Sequence, residues 1–215
     1  MNFSTFFKKY KYRWQKFIKS HPLQWRLLDA DSSVMLVTSL IVGIGAGLGA
    51  VLFRRLIDWI HNFAYNDIAG ILAEWYPLHL IVIPALGGAI VGPLVYYFAR
   101  EAKGHGVPEV MEALELRGGK IRPRVVVVKS LASSVCIASG GSVGREGPIA
   151  QIGSALGSLI GQLLKLSEDR VRTLVACGAA GGIAATFNAP IAGAIFALEV
   201  LLRRFGSVYF GAVVI

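Results

Sequence analysis

The sequence predicts an all-α membrane protein whose helices are tilted and repeatedly broken. Three observations carry this. Hydrophobic residues fill 54% of the 215 positions and charged residues only 16%, well under the roughly 25% that a soluble surface uses. The early uncharged runs reach the length of about 20 residues that a helix needs to cross a bilayer. The later runs are shorter and are cut by glycine–proline and asparagine–proline breaks.

The chain opens on a different composition. Seven basic residues, Lys8, Lys9, Lys11, Arg13, Lys16, Lys19 and Arg26, precede the first long apolar run, mixed with aromatic residues from Phe3 to Trp25. This fits an interfacial segment on the cytoplasmic side, where basic residues accumulate; a disordered basic tail is the plainer alternative. The formal net charge of +9 could also suggest nucleic acid. No zinc-finger, homeodomain or RNA-binding signature accompanies it, so no nucleic-acid partner is expected. A signal peptide would need an early apolar core and a small-residue cleavage site, and the polar opening lacks both. The expected organisation is a basic amphipathic segment over 1–30 and a membrane domain over 31–215.

The first span comes next. Between Asp31 and Arg54 no residue is charged, and apolar character continues to Ile60, which predicts a long, tilted helix. Asn62 to Pro77 is expected as a connector. Leu80 to Ala99 is a second span, returning the chain to the side where Arg26, Arg100 and Lys103 cluster. The positive-inside rule makes that side, and the N-terminus, cytoplasmic. The expected location is a plasma or inner membrane.

After residue 103 the apolar runs 131–144, 149–164, 174–187 and 191–198 are mostly short for perpendicular spans. Backbone leaves helical geometry at membrane depth only where protein or a water-filled cavity satisfies it. Broken helices of this kind bring helix ends to a buried ion site. Glycines four apart, at Gly43/Gly47, Gly45/Gly49, Gly88/Gly92 and Gly153/Gly157/Gly161, predict faces of close helix contact. Gly45, Gly47 and Ala50 also match a dinucleotide fingerprint, but inside an uncharged membrane-length run that reading fails.

Two breaks carry polar chemistry. Gly104-His105-Gly106-Val107-Pro108-Glu109 opens a short helical stretch. Its first amides lack intrahelical acceptors and the helix dipole adds positive potential, a combination that suits an anion. Taken alone, the segment is also just a capped helix start. Gly144-Arg145-Glu146-Gly147-Pro148 sets an arginine and a carboxylate between uncharged runs. Charges at membrane depth are costly and usually line a pathway or hold a partner. Glu146 at a helix start can occupy an anion site as a tethered competitor that protonation releases; a structural Arg145–Glu146 pair is the alternative. In a third break, Asn188 is expected to cap the helix that begins near Pro190. Cys136 and Cys177 lie far apart in apolar runs, and His21, His61 and His79 have no metal-ligand spacing, so neither a metal site nor a cofactor is expected. No catalytic constellation emerges, and an enzyme is not expected.

These breaks together resemble three ordered signatures of the CLC family of voltage-gated chloride channels and chloride/proton antiporters. Gly104 to Pro108 is similar to its G-S-G-I-P, Gly144 to Pro148 matches its G-R/K-E-G-P, and Phe187-Asn188-Ala189-Pro190-Ile191-Ala192-Gly193 leads to its F-x-x-E ending at Glu199. The resemblance covers residues 30 to 215. It implies the first half of an inverted-topology repeat, a homodimer in the lipid bilayer, and chloride as the bound substrate. Glu146 then matches the external gate and Arg145 flanks it. Gly104, His105, Gly106, Val107, Pro108, Gly144, Gly147 and Pro148 match the anion-binding segments. His105 stands where the family has a serine, which leaves nitrate or fluoride open beside chloride. Val200 stands where exchangers carry an internal proton-pathway glutamate, with Glu199 just before it; valine cannot relay a proton, which favours channel-like conduction over antiport. The family's second half, with a further helix start and a tyrosine, is expected to complete the pathway. A non-conducting membrane scaffold is the reading from a different class.

Overall fold

The computed structural model describes residues 30–68, 78–98, 104, 106–122, 124–203 and 210–214. The chain divides into two units, Met1–Met35 and Leu36–Ile215. Of the first, only the opening turn of a helix is described, so the basic, aromatic segment of the sequence lies outside the described residues. The second unit is built, among the described residues, entirely from helices.

The first helix, α1, runs Ala30–Asn62 and widens into a π-helical turn over Phe63–Ile68. The chain thus stays helical past Asn62, where a connector was expected. Arg54 explains how a charge is kept on this helix: its Nη2 donates to the Thr186 carbonyl at 3.2 Å. That carbonyl lies in the last turn of another helix, where no intrahelical amide remains to donate to it. Helix α2, His79–Phe98, contains Pro84 and Pro93. Both α1 and α2 contain windows long and apolar enough to cross a membrane. Many of their outward side chains, such as Leu52 at 69% exposure and Ile81 at 68%, are apolar, as suits a lipid-facing surface; Arg54, Arg55 and Asp58 are exposed near the C-terminal end of α1.

The remaining helices are shorter. They are α3, Val107–Leu116; α4, Arg124–Ala138; α5, Glu146–Leu163; α6, Glu168–Phe187; α7, Pro190–Phe196, closed by a π-turn over Ala197–Leu201; and α8, Phe210–Val214. The 15 residues of α4 rise roughly 22 Å, short of a hydrocarbon core of about 30 Å.

The centre of the unit is the α5–α6 pair. Gly153 and Gly178 pack backbone to backbone, and a methyl group on either would strike the other's carbonyl; Gly157 meets the Leu174 carbonyl in the same way. The predicted Gly153/Gly157/Gly161 face is therefore the α6 contact. Between membrane helices close packing replaces the hydrophobic drive, and overpacking such a seam costs about 1–3 kcal/mol. Gly88 and Gly92 behave otherwise: among the described residues, nothing lies within 4 Å of a methyl placed on either. The packing glycine of α2 is Gly87, set against Ser139.

A buried polar knot holds the turn after α3. Ser158 donates to the Gly119 carbonyl at 2.6 Å, accepts from the Ile121 amide at 2.8 Å and is bridged by Gln162 at 2.9 Å. This fixes α3 against α5 at one end, and the site lies at the other.

Candidate anion site at converging helix ends

Gly106 begins α3 at φ +100°, a conformation that side-chain-bearing residues rarely adopt. Its amide donates to Glu109 Oε2 at 2.8 Å, the acidic half of a capping box. Pro108 follows in the first turn, where its missing N–H costs nothing. Beneath this start lies Lys129 of α4, 4% exposed, whose ammonium donates to the Gly104 carbonyl at 2.6 Å. The Glu109 carboxylate, which lies over Gly104, is near enough to act on the ammonium electrostatically. The α3 end is therefore a bonded lysine–backbone–carboxylate assembly.

The α5 end is looser. Arg145 precedes the helix with no side-chain cap, and Ile149 donates to its carbonyl at 3.2 Å. Arg145 and Glu146 are both exposed, whereas Pro148 is buried. The Glu146 carboxylate folds back onto Gly144, in the space a methyl group there would occupy.

The two ends meet. A methyl on Gly106 would collide with the Gly147 carbonyl, so the start of α3 and the start of α5 are in backbone contact. First-turn amides of both helices lack intrahelical acceptors, and both dipoles present their positive ends here. Such a junction can hold an anion through backbone donors. A small cavity of about 80 Å³ runs along α3, from Glu109, Val110 and Gln151 to Arg117, Lys120 and Ile121 at the far end of the helix. Gln151 is 2% exposed and its Oε1 has no hydrogen-bond partner among the described residues.

Of the residues singled out from sequence, Gly104, Gly106, Val107, Pro108, Gly144, Arg145, Glu146, Gly147 and Pro148 fall on these two helix starts. His105 lies outside the described residues. Glu199 is exposed and Val200 half-buried in the π-turn that closes α7. Phe196 and Leu201, on either side, pack in one cluster with Val107, Val110 and Met111 of α3. Asn188 departs from expectation: it adopts a left-handed conformation at the C-terminal end of α6, with Ala189 preceding α7 and no side-chain cap. Sequence reasoning passed over Lys129 and Gln151. The available signal was a lysine inside α4 and the first of two glutamines in α5, each within a mostly apolar helical run.

Comparison with known proteins bears on the family and the fold. The family model described as voltage gated chloride channel matches residues 87–215. The chain is 36% identical over 191 residues to the H(+)/Cl(-) exchange transporter ClcA of Klebsiella pneumoniae (strain 342), covering 84% of this chain and 39% of the relative. Identity is 37% over 191 residues, with the same coverage of 84% and 39%, for ClcA of Citrobacter koseri. Among solved structures, a slow cyanobacterial Cl-/H+ antiporter superposes with a TM-score of 0.70 at 29% identity, covering 84% of this chain and 43% of that one. A CLC-type fluoride/proton antiporter gives 0.67 at 25% identity, covering 86% and 44%. The chain thus spans well under half the length of the relatives it matches. With its ordered glycine-rich breaks, its converging helix starts and a match over most of its described length, the chain belongs to the voltage-gated chloride channel (CLC) family of membrane proteins.

Proposed function

We propose that this chain forms part of a transmembrane chloride pathway in which the anion sits at the meeting starts of α3 and α5 and Glu146 is the gate. The carrying observation is the backbone contact of Gly106 with Gly147, which brings the positive N-terminal ends of two helix dipoles to one place. The carboxylate at the α5 start competes for the same positive field. In the proposed assembly further membrane segments complete the pathway, and two subunits form a homodimer in the bilayer.

On coupling, the relatives support proton exchange as the leading reading, since the ClcA proteins and the superposing structures are named as exchangers or antiporters. One observation favours a second reading, uncoupled chloride conduction: Val200 has no titratable group. The reversal potential of the complete protein in liposomes under opposing chloride and proton gradients separates them. A shift with the proton gradient supports exchange, and a value set by chloride alone supports conduction. Absence of both flux and anion binding in folded protein defeats the transport reading altogether.

Glu146→Gln tests the gate. Glutamine mimics the protonated side chain, so flux should become high and lose its rise toward acid pH. Retention of that pH dependence refutes the assignment.

A further inference from the structure

The C-terminal end of α1 and the π-helical turn that extends it hold two side chains that the anion site does not use. His61 and Tyr65 lie four residues apart, on one face of the helix, with ring centroids 4.7 Å apart. His61 Nδ1 is 3.0 Å from the Ala138 carbonyl; a carbonyl only accepts, so the ring nitrogen donates. Tyr65 Oη donates to the Ser139 carbonyl at 3.2 Å. These carbonyls end α4, where no intrahelical amide remains to pair with them.

The segment leading out of α4 is the one that delivers Glu146, and its path is tightly bonded. Ser139 Oγ and the Gly141 amide both donate to the Cys136 carbonyl, at 3.1 and 2.9 Å, and the Val143 amide donates to the Gly141 carbonyl at 2.8 Å. Gly140 takes φ +93°, and Tyr65 Oη lies 2.8 Å from where a methyl on it would sit. The segment ends at Gly144, on which the Glu146 carboxylate rests.

We propose that His61 and Tyr65 are positioning residues for the gate: by clamping the end of α4 they set where residues 139–145 place the Glu146 carboxylate. This rests on the reading of Glu146 as gate. A short segment that is bonded to itself has little freedom to absorb movement at its anchored end. Displacement of that end therefore reaches Gly144 and the carboxylate above it.

The test is the pH profile of chloride flux from the complete protein in liposomes. Tyr65→Phe is the primary variant, because it removes one donor and no acid–base group active near neutrality. His61→Leu removes the second donor, and His61→Asn restores a donor near the Nδ1 position. The other charged groups close to the gate are Arg145 beside it and Glu109 and Lys129 behind the Gly106 contact, and all stay unchanged. Loss of one anchor worth an ordinary hydrogen bond should move the midpoint by roughly half a pH unit. Tyr65→Phe and His61→Leu should each show this shift, His61→Asn should largely reverse it, and neither shift should survive in a Glu146→Gln background. An unchanged midpoint in Tyr65→Phe and His61→Leu, while Glu146→Gln abolishes the pH dependence, overturns the clamp alone. Equal changes with and without Glu146 overturn it too, because the pair then acts only on folding. If Glu146→Gln itself keeps the wild-type profile, the gate reading fails, and the clamp falls with it.

Discussion

The starts of α3 and α5 are written in nearly the same residues, glycines flanking a charge and a proline, yet they are built to opposite effect. At α3 the carboxylate of Glu109 is bound to the Gly106 amide and faces a buried lysine that itself holds the Gly104 carbonyl. At α5 the carboxylate of Glu146 is exposed, with only Gly144 beneath it. One acid is tied into its helix start through a backbone amide, and the other stands exposed at the edge of its own. A carboxylate that works as a gate must exchange between positions at low cost, which the α5 end allows and the α3 end forbids.

The largest expected effect breaks the junction between them. Gly106→Ala meets both a left-handed φ and the Gly147 carbonyl, and should cost about 2–4 kcal/mol. Thermal unfolding in detergent should show a clear loss of stability, with flux lost in parallel. A wild-type melting curve would mean that the helix starts are not in contact.

Lys129→Met probes the anchored end. It leaves the Gly104 carbonyl without its donor and Glu109 without its buried countercharge, a loss of roughly 1–3 kcal/mol. Stability and anion affinity should fall together, while the pH dependence attributed to Glu146 persists. A selective loss of pH dependence with normal stability would reverse the roles given to the two acids.

Gly144→Ala is the mildest change and the sharpest for the gate. The backbone tolerates alanine there, but the new methyl takes the place of the carboxylate. Stability should stay within about 0.5 kcal/mol of wild type, and the pH midpoint of flux should move. An unmoved midpoint would show that the resting position over Gly144 has no part in gating.

Local chemistry made much of this legible in advance. Glycine and proline punctuate helices through backbone rules that need no neighbours, so the starts of α3, α5 and α7 were readable. Gly153, Gly157 and Gly161 marked a packing face because spacing on a helix is intrinsic. The same spacing at Gly88 and Gly92 meets no neighbour among the described residues, since a smooth face is used only where another helix arrives. Asn188 shows a related limit: one residue ends α6 and precedes α7, and its side chain can serve only one of them.

By itself, then, the sequence determined a membrane helical protein, the order of its breaks, the family and Glu146 as the acid to watch at the α5 start. Hydropathy and backbone propensity are properties of consecutive residues, and they survive without a fold. Which acid is anchored, that Lys129 lies under α3, and that His61 and Tyr65 grip the end of α4 were decided only by tertiary structure. Each of these depends on contacts between residues far apart in the chain, such as the 77 positions separating His61 from Ala138. The energy of such a contact depends on whether packing brings the partners within hydrogen-bond distance, which no local pattern encodes.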